Sequence, residues 1–493
     1  MTSTISCELC VIGAGLAGMN ALAAACEYLG PDDTVVLVDR RTRNGGMWVD
    51  TYDYVRLHQP HPMFTAGDVP WQHDKPPWYL AAKPEILDHF AHCLDVLRAK
   101  VNLVECFGHT YEAHEEVPIG NAYRARIALR APDGTPITID ARRCIKAFGF
   151  RVPVNPPLAL SSRRVHSVSP EDPRLFSAED ADKPVVVVGG GKTGMDTAHA
   201  LLARFPGREV HLAIGRGTAF MNRNLGFPRG LARWWRGQTT LATFTDLASR
   251  FDGTNEREVF EYFKRHYAVY LGDRQAYYVL GLQSEEENEF LVRNLRTVRN
   301  GYVRDVVDTG DVPTLVYDDG HRQALPPGSY LVNCTGYVMR DDHAYEPYLS
   351  PHGTVASVQP TSSIHVLTSF GGYFLGHLFY LDKLGTLPLY ALDHQAMTHR
   401  NKEGLPFACM VHLLYNLFLI VDAVPPKVMQ QCGLDFDRWF PWPRRLLGFL
   451  KLRGRRARLL AHCRAALDCY RARFDLRGGV LDTVAARNGT ATT

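Results

Sequence analysis

What this chain lacks narrows it first. Its net charge is only +3 over 493 residues, so no nucleic-acid partner is implied. It has no zinc-type Cys/His spacing, no GxSxG elbow, no P-loop and no acid/base pair that stands out, which leaves little for a protein-borne nucleophile or metal to do. Its 11 cysteines are odd in number and follow no framework spacing, and no apolar leader comes after "MTSTISCELC". A reducing, cytoplasmic setting is therefore expected. With 46% hydrophobic and 22% charged residues the composition is that of an ordinary globular protein, long enough for two or three domains. Cys7 and Cys10 form a CxxC, but on a strand residues three apart point to opposite faces, so both read as core.

What the chain does have is one pattern used twice. The first copy is "CELCVIGAGLAGMNALAAACEYLGPDDTVVLVDR". An apolar run meets Gly13, Gly15 and Gly18, an Ala-rich helical stretch follows, and a second apolar run ends in Asp39. This is strand, tight turn, helix, strand, with an acidic residue about twenty places after the last glycine. Gly13 lets the chain turn, Gly15 lets a pyrophosphate approach the backbone, and Gly18 lets helix and strand pack closely. The helix N-terminus offers free N–H groups to phosphate, and Asp39 is placed to accept from a ribose hydroxyl.

The second copy is "KPVVVVGGGKTGMDTAHALLARFPGREVHLAIGRG", with Gly189, Gly191 and Gly194 in the same three places. The step that leads from Gly13 to Asp39 leads from Gly189 to Gly215, with Arg216 next. A carboxylate there repels a 2′-phosphate, whereas a small residue followed by arginine makes room for one and binds it. The second site is therefore expected to take NADPH, with Lys192 and Thr193 opening its helix; Arg223 and Arg229 are further candidates. Two nucleotide sites in one chain suggest a flavoprotein, with FAD at the first site and the nicotinamide that reduces it at the second.

The stretch "RNGGMWVDTYDYVRLHQP" (43 to 60) follows the Asp39-Arg40 pair closely. Gly45 and Gly46 are expected to lay side-chain-free backbone beside the flavin, with Met47 and Trp48 next to it. Trp48 either stacks near the ring or is plain core.

Together "GAGLAG", "GGMW", the Tyr-Asp-Tyr-Val-Arg-Leu-His run, "GGGKTG" and "NCTGY" (333 to 337) occur in the order found in flavin-containing monooxygenases, and the chain resembles that family, including its YUCCA branch and the related N-hydroxylating enzymes, from about residue 5 to about residue 380. The resemblance implies an α/β fold with two Rossmann-like dinucleotide-binding domains and a helical C-terminal extension. The FAD domain would be discontinuous, residues 1–151 and 329–400, the NADPH domain inserted at 152–328, and the extension 401–493. "KAFGF" (146 to 150) looks like the first crossing between the domains and "NCTGY" like the return, bringing Thr335 and Gly336 to the cofactors. His58 and Arg56 are expected beside the flavin, and His377 stands where related flavoproteins carry an aspartate. A helix beginning near Leu384 is expected to aim its N-terminus at the flavin.

The implied reaction is NADPH-driven insertion of one oxygen atom from O2 into a small organic substrate through a C4a-(hydro)peroxyflavin, with N- or S-oxygenation favoured, and the cofactor performs the hard step. The family's Phe-x-Gly-x-x-x-His fingerprint survives only as His166 in "LSSRRVHSVSP", which counts against ketone insertion. A disulfide reductase needs a redox cysteine pair, yet no cysteine follows GGMW until Cys93, and the inserted domain has none before Cys334. The alternative is a non-oxygenating NADPH:flavin oxidoreductase or a redox-sensing nucleotide-binding protein.

Two features fall outside this pattern. "FACMVHLLYNLFLIVDAVPP" is of borderline length for a membrane span, but His412, Asn416 and Asp422 within it favour a buried helix. "WPRRLLGFLKLRGRRARLLAHCRAALDCYRARF" mixes Leu and Phe with many arginines. It reads as a docked helix with a solvated basic face in preference to a membrane-surface helix.

Overall fold

The structure is a computed structural model that describes residues 3–149, 155–336 and 344–481. Phe150 of the first expected crossing and Tyr337 of the second lie outside the described residues.

The chain opens with β1 (Ser3–Ile12), α1 (Leu16–Ala25) and β2 (Thr34–Asp39), followed by α2 (Lys83–Arg98) and β3 (Asn102–Phe107). A hairpin of β4 (Thr110–Ile119) and β5 (Ala122–Arg130) leads into β6 (Pro136–Ala147). The sheet order is β3-β2-β1-β6-β5-β4, parallel from β3 to β6 and antiparallel across the hairpin. Leu9 pairs with Val35 and Cys10 with Cys144. The Val/Leu run of β2 is buried because a parallel sheet is covered on both faces. Helix α1 is buried almost all round, as befits a helix wedged into the core.

A second sheet is formed by β7 (His166–Val168), β8 (Val185–Val188), β9 (Val210–Ala213), β10 (Thr297–Arg299) and β11 (Tyr330–Asn333), with α3 (Lys192–Arg204) after β8. Its order is β10-β9-β8-β11-β7, parallel throughout. Strand β11 lies past residue 328, so this sheet reaches into the stretch expected to return to the first domain. Its four buried residues pair in register with the Val run of β8, and that pairing decides its membership.

Between β9 and β10 run α4 (Thr240–Arg250), α5 (Glu256–Tyr267) and α6 (Glu285–Asn294). Beyond β11 come β12 (Val355–Val358), α7 (Thr368–Tyr380), α8 (Leu405–Ala423) and α9 (Trp442–Arg473). Strand β12 pairs in parallel with the end of β6, restoring the chain to the first sheet. Helix α7 packs on α1 through small residues: a Cβ on Gly372 would stand 2.1 Å from the Ala17 carbonyl oxygen. The expected helix near Leu384 is a turn instead, and α7 starts 16 residues earlier.

Helices α4, α5, α8 and α9 share one apolar core that includes Leu247, Phe263, Phe407 and Tyr470. The helices inserted after β9 therefore pack with the C-terminal extension. Helix α8 is long and apolar enough to cross a membrane by length and composition, yet most of it is buried in the protein. Its polar groups are satisfied there. Asn416 donates to the carbonyls of Ile364 (2.7 Å) and Tyr390 (2.8 Å), and the ring of His412 bonds the Tyr390 carbonyl at 2.7 Å.

Candidate functional site: two glycine-built crevices

Both glycine turns are built the same way. At Gly13 (φ +107°) a Cβ would stand 2.4 Å from the carbonyl oxygen of Ala147, and at Gly189 (φ +132°) 2.4 Å from that of Cys334. At Gly18 it would meet the Gly13 oxygen at 1.7 Å, and at Gly194 the Gly189 oxygen at 2.0 Å. Gly15 and Gly191 are the extended N-cap residues of α1 and α3. Each turn thus delivers a helix N-terminus, with its unpaired N–H groups, to the carboxyl end of a parallel sheet.

The first crevice opens onto a cavity of about 530 Å³, within the range of cofactor pockets. Gly13, Gly15, Asp39, Arg40, Gly46, Met47 and Trp48 all line it, so the sequence-derived set is brought together here. Asp39 is buried and accepts from the backbone N–H of Ala14 (2.7 Å) and of Arg41 (2.8 Å), tying β2 to the glycine turn. Trp48 meets Phe64 edge to face at 5.4 Å. It lines the cavity and packs in the core at the same time.

Gly46 (φ +57°) has a use the sequence did not reveal. Its missing Cβ would stand 2.7 Å from Gly15 Cα, and the Gly45 N–H donates to the Ala14 carbonyl at 3.0 Å. The Gly-Gly pair is what allows this segment to lie on the first glycine turn, backbone against backbone.

Other walls were not foreseen. His109, Thr110 and Tyr111 follow β3, and Phe148 follows β6. The apolar run ending at Gly108 is the signal that could have found the former, because ligands sit beyond the carboxyl ends of parallel strands. Leu367, Thr368 and Ser369 begin α7 and also line the cavity; nothing local in the sequence marks them.

The structure places several expected residues elsewhere. His377 lies within α7, buried, with Nδ1 2.9 Å from the Tyr28 hydroxyl, and does not line the cavity. The N-terminus of α7 reaches the crevice, and its middle turns do not. Arg56 lines a second cavity of about 330 Å³ together with Tyr54, Lys192, Asp196, His199 and Glu287. His58 also belongs on this side: burial first, then Lys192, lowers its pKa to about 4, so the ring is neutral at pH 7. Arg56 and His58 are separated from the first cavity because the 52–58 segment turns onto α3, where the Tyr52 hydroxyl bonds Asp196 at 3.2 Å and also neighbours Thr193. Thr335 and Gly336 follow β11, where Cys334 and the Thr335 backbone lie against Gly189 on the second crevice.

The second crevice is electrostatically rich. Lys192 Nζ stands 2.5 Å from Asp196, and the Arg223 guanidinium pairs with Glu287. Burial opposes ionisation of Glu287, yet Lys192 and Arg223 pull its carboxyl below the usual carboxylate range. Arg216 lies just past the end of β9, donating to the Tyr277 hydroxyl (2.7 Å) and to Glu403 (2.7 Å), and is half exposed. The neighbouring Gly215 (φ +55°) leaves room that the Tyr302 ring fills.

These features fit the two dinucleotides. The first crevice would hold FAD between the α1 N-terminus, Asp39 and the Gly46 backbone. The second would hold NADPH, since a Cβ at Gly191 would meet nothing within 4 Å and a cation stands at the end of β9.

Residues 7–228 match the family described as pyridine nucleotide-disulphide oxidoreductase. Uncharacterized proteins of Mycobacterium tuberculosis and Mycobacterium bovis are 26% identical over 397 residues, covering 76% of this chain and 67% of theirs. Among solved structures, the bacillithiol disulfide reductase of Staphylococcus aureus is similar at 14% identity and a TM-score of 0.46, over 77% of this chain and 98% of that one. A flavin-containing monooxygenase from Stenotrophomonas maltophilia is similar at 14% and 0.42, over 77% and 98%. Cyclohexanone monooxygenase is similar at 15% and 0.47, over 92% and 98%. The family match and the two built cradles make this chain an oxidoreductase with FAD and NADPH as its cofactors.

Proposed function

We propose, from the premise of an oxidoreductase that uses FAD and NADPH, that the chain is a single-component monooxygenase placing one oxygen atom of O2 on the nitrogen or sulfur of a small organic substrate. The observation that carries this reading is where the thiols are. All 11 cysteines are free, ten of them buried, and none lines either cavity. Burial pushes Cys7 and Cys334 up to about 12 and raises Cys93 as well. A thiol relay needs the reverse, an accessible and low-pKa cysteine. Electrons delivered here must leave by another acceptor, and O2 meets that need.

Bound NADPH supplies the hydride and bound FAD the oxygen chemistry. The protein's own residues hold, orient and exclude water. Asp39 and the α1 N-terminus fix the first nucleotide, and the α7 N-terminus at Thr368 directs positive potential into the same cavity. Trp48, Phe64 and Phe148 form an apolar wall that keeps water out. At the other crevice neutral His58 adds no charge to the Lys192–Asp196 and Arg223–Glu287 pairs.

The test uses isotopically labelled O2. Holoenzyme, NADPH and a panel of amines and sulfides are incubated, and product mass and H2O2 are measured together. A labelled product, with H2O2 falling as substrate rises, is the expected result. Stoichiometric H2O2 with every substrate, or thiol release from a disulfide, would overturn the proposal.

A further inference from the structure

The first half of α9 packs against nothing comparable to its second half. The helix runs for 32 residues, and the first of them that is buried is Leu459. From there Cys463, Leu467 and Tyr470 enter the core shared with α4, α5 and α8. Before it, large apolar side chains stand in solvent: Trp442 is 68% exposed, Leu447 58%, Phe449 45% and Leu450 52%. These are side chains a water-soluble surface rarely groups together.

A second segment adds to the same surface. In the 230–237 stretch, Leu231 is 73% exposed and Trp235 67%, with Trp234 beside them. The two segments are fastened together. Arg444 donates to the carbonyls of Arg233 (2.8 Å), Arg236 (2.7 Å) and Gly237 (2.9 Å), while the buried Trp439 indole donates to Pro228 (2.8 Å). Exposed apolar and aromatic side chains thus form one patch on two anchored supports.

The two supports themselves carry charge of one sign, with Asp435 and Asp422 from neighbouring elements pairing with Arg445 and Arg456. From Trp442 the helix has no acidic residue until Asp468, and from Arg223 the other segment has none until Asp246. Lys451, Arg453, Arg455 and Arg458 follow the apolar helix turn and face solvent, as do Arg233 and Arg236 on the loop. A second copy of this chain would bring cations against cations, which opposes a symmetric contact. Leu, Phe and Trp surrounded by Arg and Lys suit a bilayer interface, with the apolar side chains among the acyl chains and the cations at acidic headgroups.

We infer that the patch formed by residues 231–236 and the first half of α9 docks the protein on the surface of an anionic lipid bilayer. It is a peripheral attachment. The apolar helix α8 stays buried in the fold and takes no part in it.

Vesicle flotation of the full-length holoprotein tests this, with phosphatidylcholine vesicles and with phosphatidylcholine vesicles containing phosphatidylserine, at low and high salt. The wild type is expected to float with the anionic vesicles and to be released by salt. Arg453→Gln with Arg455→Gln should lower that partition by about thirtyfold. Trp235→Ser with Trp442→Ser should lower it while FAD content and circular dichroism stay unchanged, since both side chains are exposed. Three of the chain's seven tryptophans lie in the patch, so a blue shift of emission on vesicle addition, lost in that variant, reports insertion. Failure of the wild type to float with anionic vesicles overturns the inference. So does flotation that the tryptophan changes leave intact. A concentration-dependent dimer that the same changes abolish would assign the patch to a second copy, and tighter binding of single-stranded nucleic acid than of vesicles would assign it to a polyanion.

Discussion

The two glycine crevices share their outer glycines and differ at the middle one. Gly15 stands against the Gly46 backbone, a Cβ there being 3.3 Å from Gly46 Cα, whereas a Cβ on Gly191 would touch nothing within 4 Å. The first crevice is walled by a second pair of glycines, by the start of α7 and by aromatic side chains. The second is bordered by ion pairs. The same supersecondary unit serves both because the outer glycines solve a packing problem within the unit, while the middle glycine answers to whatever lies outside it.

The sharpest way to break this comparison is to add a methyl group at each kind of position. Gly18→Ala and Gly194→Ala each place a Cβ 2.0 Å or less from a backbone oxygen, and should cost roughly 4 kcal/mol or prevent folding. Gly191→Ala should leave the urea midpoint within experimental error and weaken NADPH binding alone. If Gly191→Ala unfolds the protein as Gly18→Ala does, the distinction between packing and ligand glycines fails.

Next in size is acid stability on the second side. The pKa of His58 is lowered from 6.5 to about 4 by burial and Lys192. A base with a depressed folded pKa contributes stability that is complete above 6.5 and is lost as pH falls through 4. Over that window His58 should account for about 2 kcal/mol of lost stability, and His58→Gln should flatten the denaturation midpoint between pH 6.5 and pH 4. An unchanged slope would show the ring to be solvated.

Smaller effects separate the nucleotides. Arg216→Ala should raise the Kd for NADPH about tenfold, the loss of one charge-assisted contact, and leave NADH unchanged; equal loss with both would remove Arg216 from the 2′-phosphate. Glu403→Gln, which releases Arg216 from its carboxylate partner, should tighten NADPH by about twofold to threefold. Its effect on stability should stay within about 0.5 kcal/mol, because the pair is half exposed.

The legible parts of the site were those whose physics is local. Gly13, Gly18 and Asp39 declare themselves because turn, helix packing and cap all fall within one strand–helix–strand unit. The Gly45-Gly46 pair was legible as a close approach; it lines the first cavity, and the additional packing of Gly46 on the Gly15 turn had no local sign. His377 was placed by its position after a glycine, whereas the pitch of α7 directs it to Tyr28. Arg56 and His58 were drawn toward the first crevice by nearness in sequence to Gly46, and the Tyr52–Asp196 bond carries them to the other. Glu403, 187 residues from its partner Arg216, had no local sign at all.

By itself the sequence determined the two nucleotide units, their order and the chemistry each can hold, because steric demands on glycine and the burial of Val runs act over a few residues. Only the tertiary structure decided which residues face which crevice, that the helices after β9 join those of the C-terminus, and that half of α9 stands free. Those outcomes depend on how distant apolar faces cover one another, a property no short stretch of chain contains.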